Sequence, residues 1–215
     1  MRPLVILRPE PGASATVAAA LERGLPARAI PLFAVTPVAW SVADPAAFDA
    51  IVATSANAFR HGGPGLGALT RLSVHAVGEA TAAAARSAGF RVAAVGNGGR
   101  ADLALPPGRL LHLAGEDHLP LAGDVETCVV YASRPIEPPP LLPDLAGAVV
   151  AVHSPRAGTR LAELVATRGQ STIAAISVEA ARACGAGWEQ VALARQPREA
   201  ALLALAEELC QARPR

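Results

Sequence analysis

Residues Asp49–Arg60, DAIVATSANAFR, begin as an apolar strand, stop on the polar run Thr54-Ser55-Ala56-Asn57 and resume as a helix. Residues Ala148–Arg160, AVVAVHSPRAGTR, repeat that pattern about half a chain later. Ser55 and Ser154 lie 99 positions apart, as do Gly78 and Ser177, and Val92 and Val191. A single match can arise by chance among alanine-rich helices. One offset kept across three successive strand–helix units marks two copies of one folding unit.

Around these units the chain alternates short apolar runs with alanine-rich helical segments, the rhythm of a parallel sheet covered on both faces. Ten strand candidates result: LVILR, ARAIPLFAV, DAIVATS, SVHAVG, RVAAVG, LLHLAG, TCVVYA, GAVVAVHS, STIAAIS and QVALAR. The first copy is followed by LLHLAG and TCVVYA. The second runs to the last residue of the chain and completes five strands only by taking LVILR and AIPLF from the N-terminus. The expected fold is therefore α/β, with two flavodoxin-like domains carrying parallel five-stranded sheets. Domain 1 is discontinuous (residues 1–37 and 141–215), and domain 2 spans residues 38–140. The crossings, near Thr36–Trp40 and Ser133–Pro140, are proline-containing and suit an extended two-stranded hinge beside a cleft.

The chain has 215 residues, 52% hydrophobic and 17% charged, enough apolar material for a globular core. Only 3% is aromatic, so the core is built from small, close-packed side chains. The net charge is +1 and all 19 basic residues are arginine, with no block resembling a nucleic-acid tail or a membrane-binding patch. Cys128, Cys184 and Cys210 are far apart and form no C-x-x-C pair, which reads as reduced thiols with no metal. The N-terminal apolar run meets Pro9 too early for a signal peptide, and no stretch approaches the length of a membrane span. The expected protein is cytoplasmic and monomeric, with no nucleic-acid or membrane partner.

In an open parallel sheet the ligand sits beyond the carboxyl ends of the strands, where loops enter helices. Five polar corners fall there: Thr54-Ser55-Ala56-Asn57, Gly78-Glu79-Ala80-Thr81, Ala114-Gly115-Glu116, His153-Ser154-Pro155 and Ser177-Val178-Glu179. Each exposes backbone N–H groups at a helix start and can receive an anion. Ser, Thr and Asn are also ordinary helix caps, so a single corner reads first as a cap, whereas five corners facing one cleft read together as an anion-binding site. Arg8, between the first strand and Pro9, adds a cation at the same edge. Tyr131 is the only tyrosine and ends TCVVY, where a phenol can donate a proton or pack as an aromatic. HGGPGLG does not match a dinucleotide loop, GNGG at Gly96–Gly99 reads as a turn, and no Walker or nucleophile-elbow motif is present. His112 and His118 lack metal-ligand partners at useful spacing.

Taken in order, LRPEP, IPLFAVTP, ATSANAFR, HAVGEATAAAARSAGF, LLHLAGED, VVYASRP, VHSPRAG and AAISVEAARACGAGW resemble the uroporphyrinogen-III synthase family over nearly the whole chain. The resemblance implies a cofactor-free lyase of tetrapyrrole synthesis that closes hydroxymethylbilane, a linear tetrapyrrole with eight carboxylates, to uroporphyrinogen III. Water is lost and ring D is inverted through a spiro intermediate. It also implies Tyr131 as the residue assisting hydroxyl loss and Ser55, Thr81 and Ser154 as residues lining the substrate site; the corner reading adds Arg8, Asn57, Gly78, Gly115, Pro155 and Ser177 to the expected substrate-binding set. Hydroxymethylbilane synthase is a candidate transient partner. Two departures stand out: Val178-Glu179-Ala180 replaces the usual threonines, and the segment from Glu116 to Asp124 is short for a helix. These favour the competing reading, a noncatalytic two-domain protein binding an anionic tetrapyrrole-like ligand.

Overall fold

The computed structural model of the chain describes residues 1–96, 105–142 and 144–212. Asn97–Gly99 of the expected glycine turn and Pro143 of the proline cluster lie outside them. Eleven strands run through the described residues: β1 (Leu4–Ile6), β2 (Ala27–Ala29), β3 (Phe33–Pro37), β4 (Ala50–Ala53), β5 (Ser73–Ala76), β6 (Val92–Val95), β7 (Leu110–Gly115), β8 (Val125–Pro135), β9 (Val149–Val152), β10 (Thr172–Ala175) and β11 (Gln190–Leu193). The helices are α1 (Gly12–Glu22), α2 (Asn57–His61), α3 (Glu79–Ser87), α4 (Pro155–Leu164), α5 (Val178–Ala183) and α6 (Glu199–Gln211). The extra strand arises because ARAIPLFAV divides into β2 and β3. Pro31 interrupts it, having no N–H to give to a ladder.

The chain forms two compact units, Met1–Ala34 with Pro135–Arg215, and Val35–Arg134. In the first, the sheet order is β2-β1-β9-β10-β11; in the second it is β8-β7-β4-β5-β6, with β3 beside β8. The orders are the same once β7 and β8 are set against β1 and β2. The register repeats as well. Ala50 faces Ser73 across β4 and β5, and Val149 faces Thr172 across β9 and β10, each residue 99 positions after its counterpart. Val74 faces Val92 and Ile173 faces Val191 at the same offset, before a bulge after Val74 shifts the first copy by one residue.

The second sheet has six strands, not the five expected. Val38 N–H donates to Val130 O and Ile136 N–H to Leu32 O, so partners run in opposite order along β3 and β8. That is the sign of an antiparallel pair added to an otherwise parallel sheet.

Strands β4, β9 and β10 are buried along their whole length, and in the first unit helices cover both sheet faces. In the first unit Val5, Leu7, Val150, Val152, Ile173 and Ala175 face α4 and α5, whereas Leu4, Ile6, Val149, Ala151 and Ala174 face α1 and α6. Small residues let these layers close. A Cβ on Gly158 of α4 would lie 2.9 Å from the Ala180 carbonyl oxygen and 3.1 Å from the Cys184 amide nitrogen. Gly→Ala inside an open helix stabilises by roughly 1 kcal/mol. Here the backbone of α5 stands in the way, so Gly158→Ala should instead destabilise by about 1–3 kcal/mol, as overpacking does, read as a lower urea midpoint.

Candidate functional site

The expected site residues fall into two sets, each at the carboxyl edge of one sheet. In the second unit β4 ends at Ala53, and Ser55 Oγ accepts the Asn57 N–H at 3.2 Å, forming the turn that starts α2. Next to it β5 leads to Gly78, the extended N-cap of α3, whose carbonyl accepts the Thr81 N–H at 3.1 Å. Thr81 is only 4% exposed, so little of it can reach a ligand. On the other side of β4, the Thr54 hydroxyl lies 3.3 Å from His112 Nε2 on β7.

Gly115 and Tyr131 form a single feature. Along β7 and β8 the register shifts after Ala114, which pairs with Val129, so that Gly115 pairs with Tyr131 and Val130 is passed over. Such a bulge re-aims a side chain. The Tyr131 ring lies over Gly115, where a Cβ would sit 2.6 Å from the ring carbons Cε2 and Cζ and 2.8 Å from the hydroxyl oxygen. Glu116 N–H donates to the Tyr131 carbonyl at 2.9 Å. His118 Nδ1 lies 3.0 Å from the Gly115 carbonyl, which requires that nitrogen to carry the proton. No helix forms between Gly115 and Val125, so the expected shortened helix is a turn and loop.

In the first unit Ser154 and Ser177 are N-caps, with Oγ accepting from Ala157 N at 3.3 Å and Ala180 N at 3.2 Å. Pro155 occupies the first turn of α4, where its missing N–H costs nothing. The Ser177 corner already holds a carboxylate. Exposed Glu179 is held below the usual carboxylate range by its own backbone N–H and then by the Ser177 hydroxyl.

Arg8 is not the isolated cation its sequence position suggests. Its Nη1 donates to Glu199 Oε2 at 2.8 Å and to Thr16 Oγ1 at 3.3 Å. The Thr16 hydroxyl donates to Glu199 Oε1 at 2.6 Å, and His153 Nε2 lies 3.3 Å from Oε2. Burial pushes the Glu199 carboxyl up, but the hydrogen bonds from His153 and Thr16 and the charges of His153 and Arg8 outweigh it, bringing it down to about 2. Glu199 and Thr16 went unnoticed in the sequence, and His153 was seen only as part of its corner. Three other arginines near these corners form ion pairs: Arg86 with Glu79 at 2.6 Å, Arg134 with Glu116 at 3.4 Å, and Arg160 with Glu137 and Glu163. Arg156 lies over the Phe33 ring at 4.8 Å.

Burial raises the thiols of Cys184 and Cys210 to about 11, which keeps them protonated and unreactive. Among the described residues no group of His, Cys, Asp and Glu could hold a metal ion, and no helix is long and apolar enough to cross a membrane. The edges offer hydrogen-bond donors and one phenol, suited to orienting an anionic substrate.

Residues 14–204 match the family profile described as Uroporphyrinogen-III synthase HemD. The chain belongs to the uroporphyrinogen-III synthase family. Its function is that of the family: a cyclising lyase of haem biosynthesis that needs no cofactor and converts hydroxymethylbilane to uroporphyrinogen III with inversion of ring D and loss of water. The chain is also similar to the crystal structure of uroporphyrinogen-III synthetase from Helicobacter pylori 26695, with 19% identity, a TM-score of 0.70, and 97% of this chain and 100% of that one covered. A mutant uroporphyrinogen III synthase from the extremely thermophilic bacterium Thermus thermophilus gives 17% identity and a TM-score of 0.55 over 98% of this chain and 99% of that one. At these identities the structures show a shared α/β fold with parallel sheets. None of the curated proteins compared matches the chain.

For a uroporphyrinogen-III synthase with these edges, Gly115→Ala should displace the Tyr131 ring and lower kcat while far-UV circular dichroism stays that of the parent protein. Because the folded carboxyl of Glu199 is depressed from 4.5 to about 2, its stabilising contribution is full above about 4.5 and is lost as pH falls through about 2. Glu199→Gln should therefore flatten the loss of stability between those pH values in an acid-unfolding titration.

Proposed function

We propose that the corners at the carboxyl ends of both sheets hold the carboxylates of hydroxymethylbilane, and that Tyr131 assists departure of its terminal hydroxyl. Both units are taken as flavodoxin-like, the order in which a ligand sits at these strand ends. Ser55, Asn57 and Gly78 in one unit, and Arg8 and Ser154 in the other, supply donors from side chains and backbone N–H groups, while nearly buried Thr81 and Pro155, which has no N–H, shape the turns around them. Ser177, whose corner Glu179 occupies, contributes through the shape of its turn.

The observation that carries this reading is the bulge that brings Tyr131 over Gly115 at the carboxyl edge of β7 and β8. A side chain placed by both a register shift and a glycine is held in one orientation, as a proton donor must be. The phenol gives its proton to the leaving hydroxyl, which departs as water, and a proton returns when the closed ring is deprotonated. The net change is loss of one water. Since the bilane also closes unaided to the uninverted isomer, most of the protein's work is to hold a conformation, and backbone dipoles supply it with little reorganisation. A labile substrate also favours direct hand-over from hydroxymethylbilane synthase.

The test is a coupled assay with freshly made hydroxymethylbilane and chromatographic separation of the two isomers. The inverted isomer should dominate. Formation of only the uninverted isomer at the spontaneous rate would leave the noncatalytic binding alternative standing. In the same assay Tyr131→Phe should slow turnover by about a hundredfold or less without abolishing it, the lower end of general-acid effects. An unchanged rate would reduce Tyr131 to packing.

A further inference from the structure

Glu199 stands in the first turn of α6, yet its carboxylate binds groups from two other corners. Arg8 follows β1 and His153 follows β9, and these are neighbouring strands at the middle of the first sheet. Glu199 Oε2 receives Arg8 Nη1 at 2.8 Å and lies 3.3 Å from His153 Nε2, while Oε1 receives the Thr16 hydroxyl at 2.6 Å. Thr16 is 2% exposed and the His153 side chain 8%, so these two anchors are fixed by packing. Arg8 is 35% exposed, and among the described residues its Nε and Nη2 make no hydrogen bond.

The guanidinium is fixed from a second direction. A Cβ on Gly12, the first residue of α1, would lie 2.6 Å from Arg8 Nε, 2.8 Å from Cζ and 2.9 Å from Nη2. Glycine is thus required at that position for the guanidinium to lie where it does, even though the backbone of Gly12 is not in the left-handed region.

We infer that Glu199 is a positioning residue for substrate binding: with Thr16, His153 and Gly12 it holds Arg8 by one nitrogen and presents the rest of the guanidinium to a carboxylate of the bilane. The inference rests on the proposed role of Arg8 in binding substrate. An alternative arrangement, in which Glu199 simply blocks Arg8 until substrate displaces it, fits less well. Its carboxylate is held by contacts from Arg8, Thr16 and His153 together, and displacement would break them all. A Glu199 bound that firmly serves as a fixed strut, and the same strut ties the Arg8 corner to the His153-Ser154-Pro155 corner.

The experiment compares Arg8→Ala, Glu199→Gln, Gly12→Ala and the two double variants with Arg8→Ala, using freshly made hydroxymethylbilane in steady-state assays. Gly12→Ala changes no charge and sits at a helix start where alanine is well tolerated, so it moves the guanidinium while the fold is kept. Glu199→Gln and Gly12→Ala should each raise KM by roughly tenfold with kcat within about twofold, equivalent to losing a binding contact of ordinary strength. Neither change should raise KM further in the Arg8→Ala background, as expected of residues acting through one group. If Arg8→Ala raises KM but Gly12→Ala and Glu199→Gln do not, or if their effects persist without Arg8, the positioning role is overturned. If Arg8→Ala itself leaves KM unchanged, the binding role of Arg8 is lost, a separate failure.

Discussion

The pairing of Leu4–Ile6 with Val149–Val152 is the constraint on which the first unit depends. Leu4 faces Val149 across a separation of 145 residues, and the whole of the second unit is contained in that interval. Without β1, strand β9 would be an edge with a row of open backbone groups, although all four of its residues are buried and apolar. Closing it requires the chain to leave after β2 and return before β9. The two crossings, β3 and β8, follow from that requirement, and their antiparallel pairing accounts for the sixth strand of the other sheet.

Small side chains make the layered arrangement possible. With few aromatics, the cores are filled by Ala, Val and Leu, and helices come close enough that single glycines are decisive. The same economy shapes the functional edges. Gly115 makes room for the Tyr131 ring, and Gly12 for the Arg8 guanidinium. Both glycines have ordinary backbone angles, so their value lies in what a methyl group would strike.

Much of the fold was legible because burial on both sheet faces demands continuous apolar runs such as AVVAV, and because the repeat keeps one offset through strands and register alike. The split of ARAIPLFAV was hidden, since its apolar character continues through the break at Pro31. The corners around Ser55, Gly78 and Ser154 could be read from the chain because a cap announces itself locally, within three residues of the helix it starts. The network at Arg8 could not. Its partners Thr16 and His153 look like ordinary helix and strand-end residues, and Glu199 is 191 positions from Arg8. Nothing in REAALLALAEELC singles out its first glutamate. The bulge opposite Gly115 was equally invisible, because a register shift is a property of two strands together.

The discontinuity of the first unit also sets an order of events during synthesis. The second unit is contiguous, and all five of its parallel strands have been made once the chain reaches Pro135. At that moment β1 and β2 have each other but lack β9, the strand that will sit beside them. Domains emerging from synthesis fold as units as their segments become complete. Here the part that starts last is the part that finishes first, and β1 waits, unpaired on one side, for the arrival of Val149.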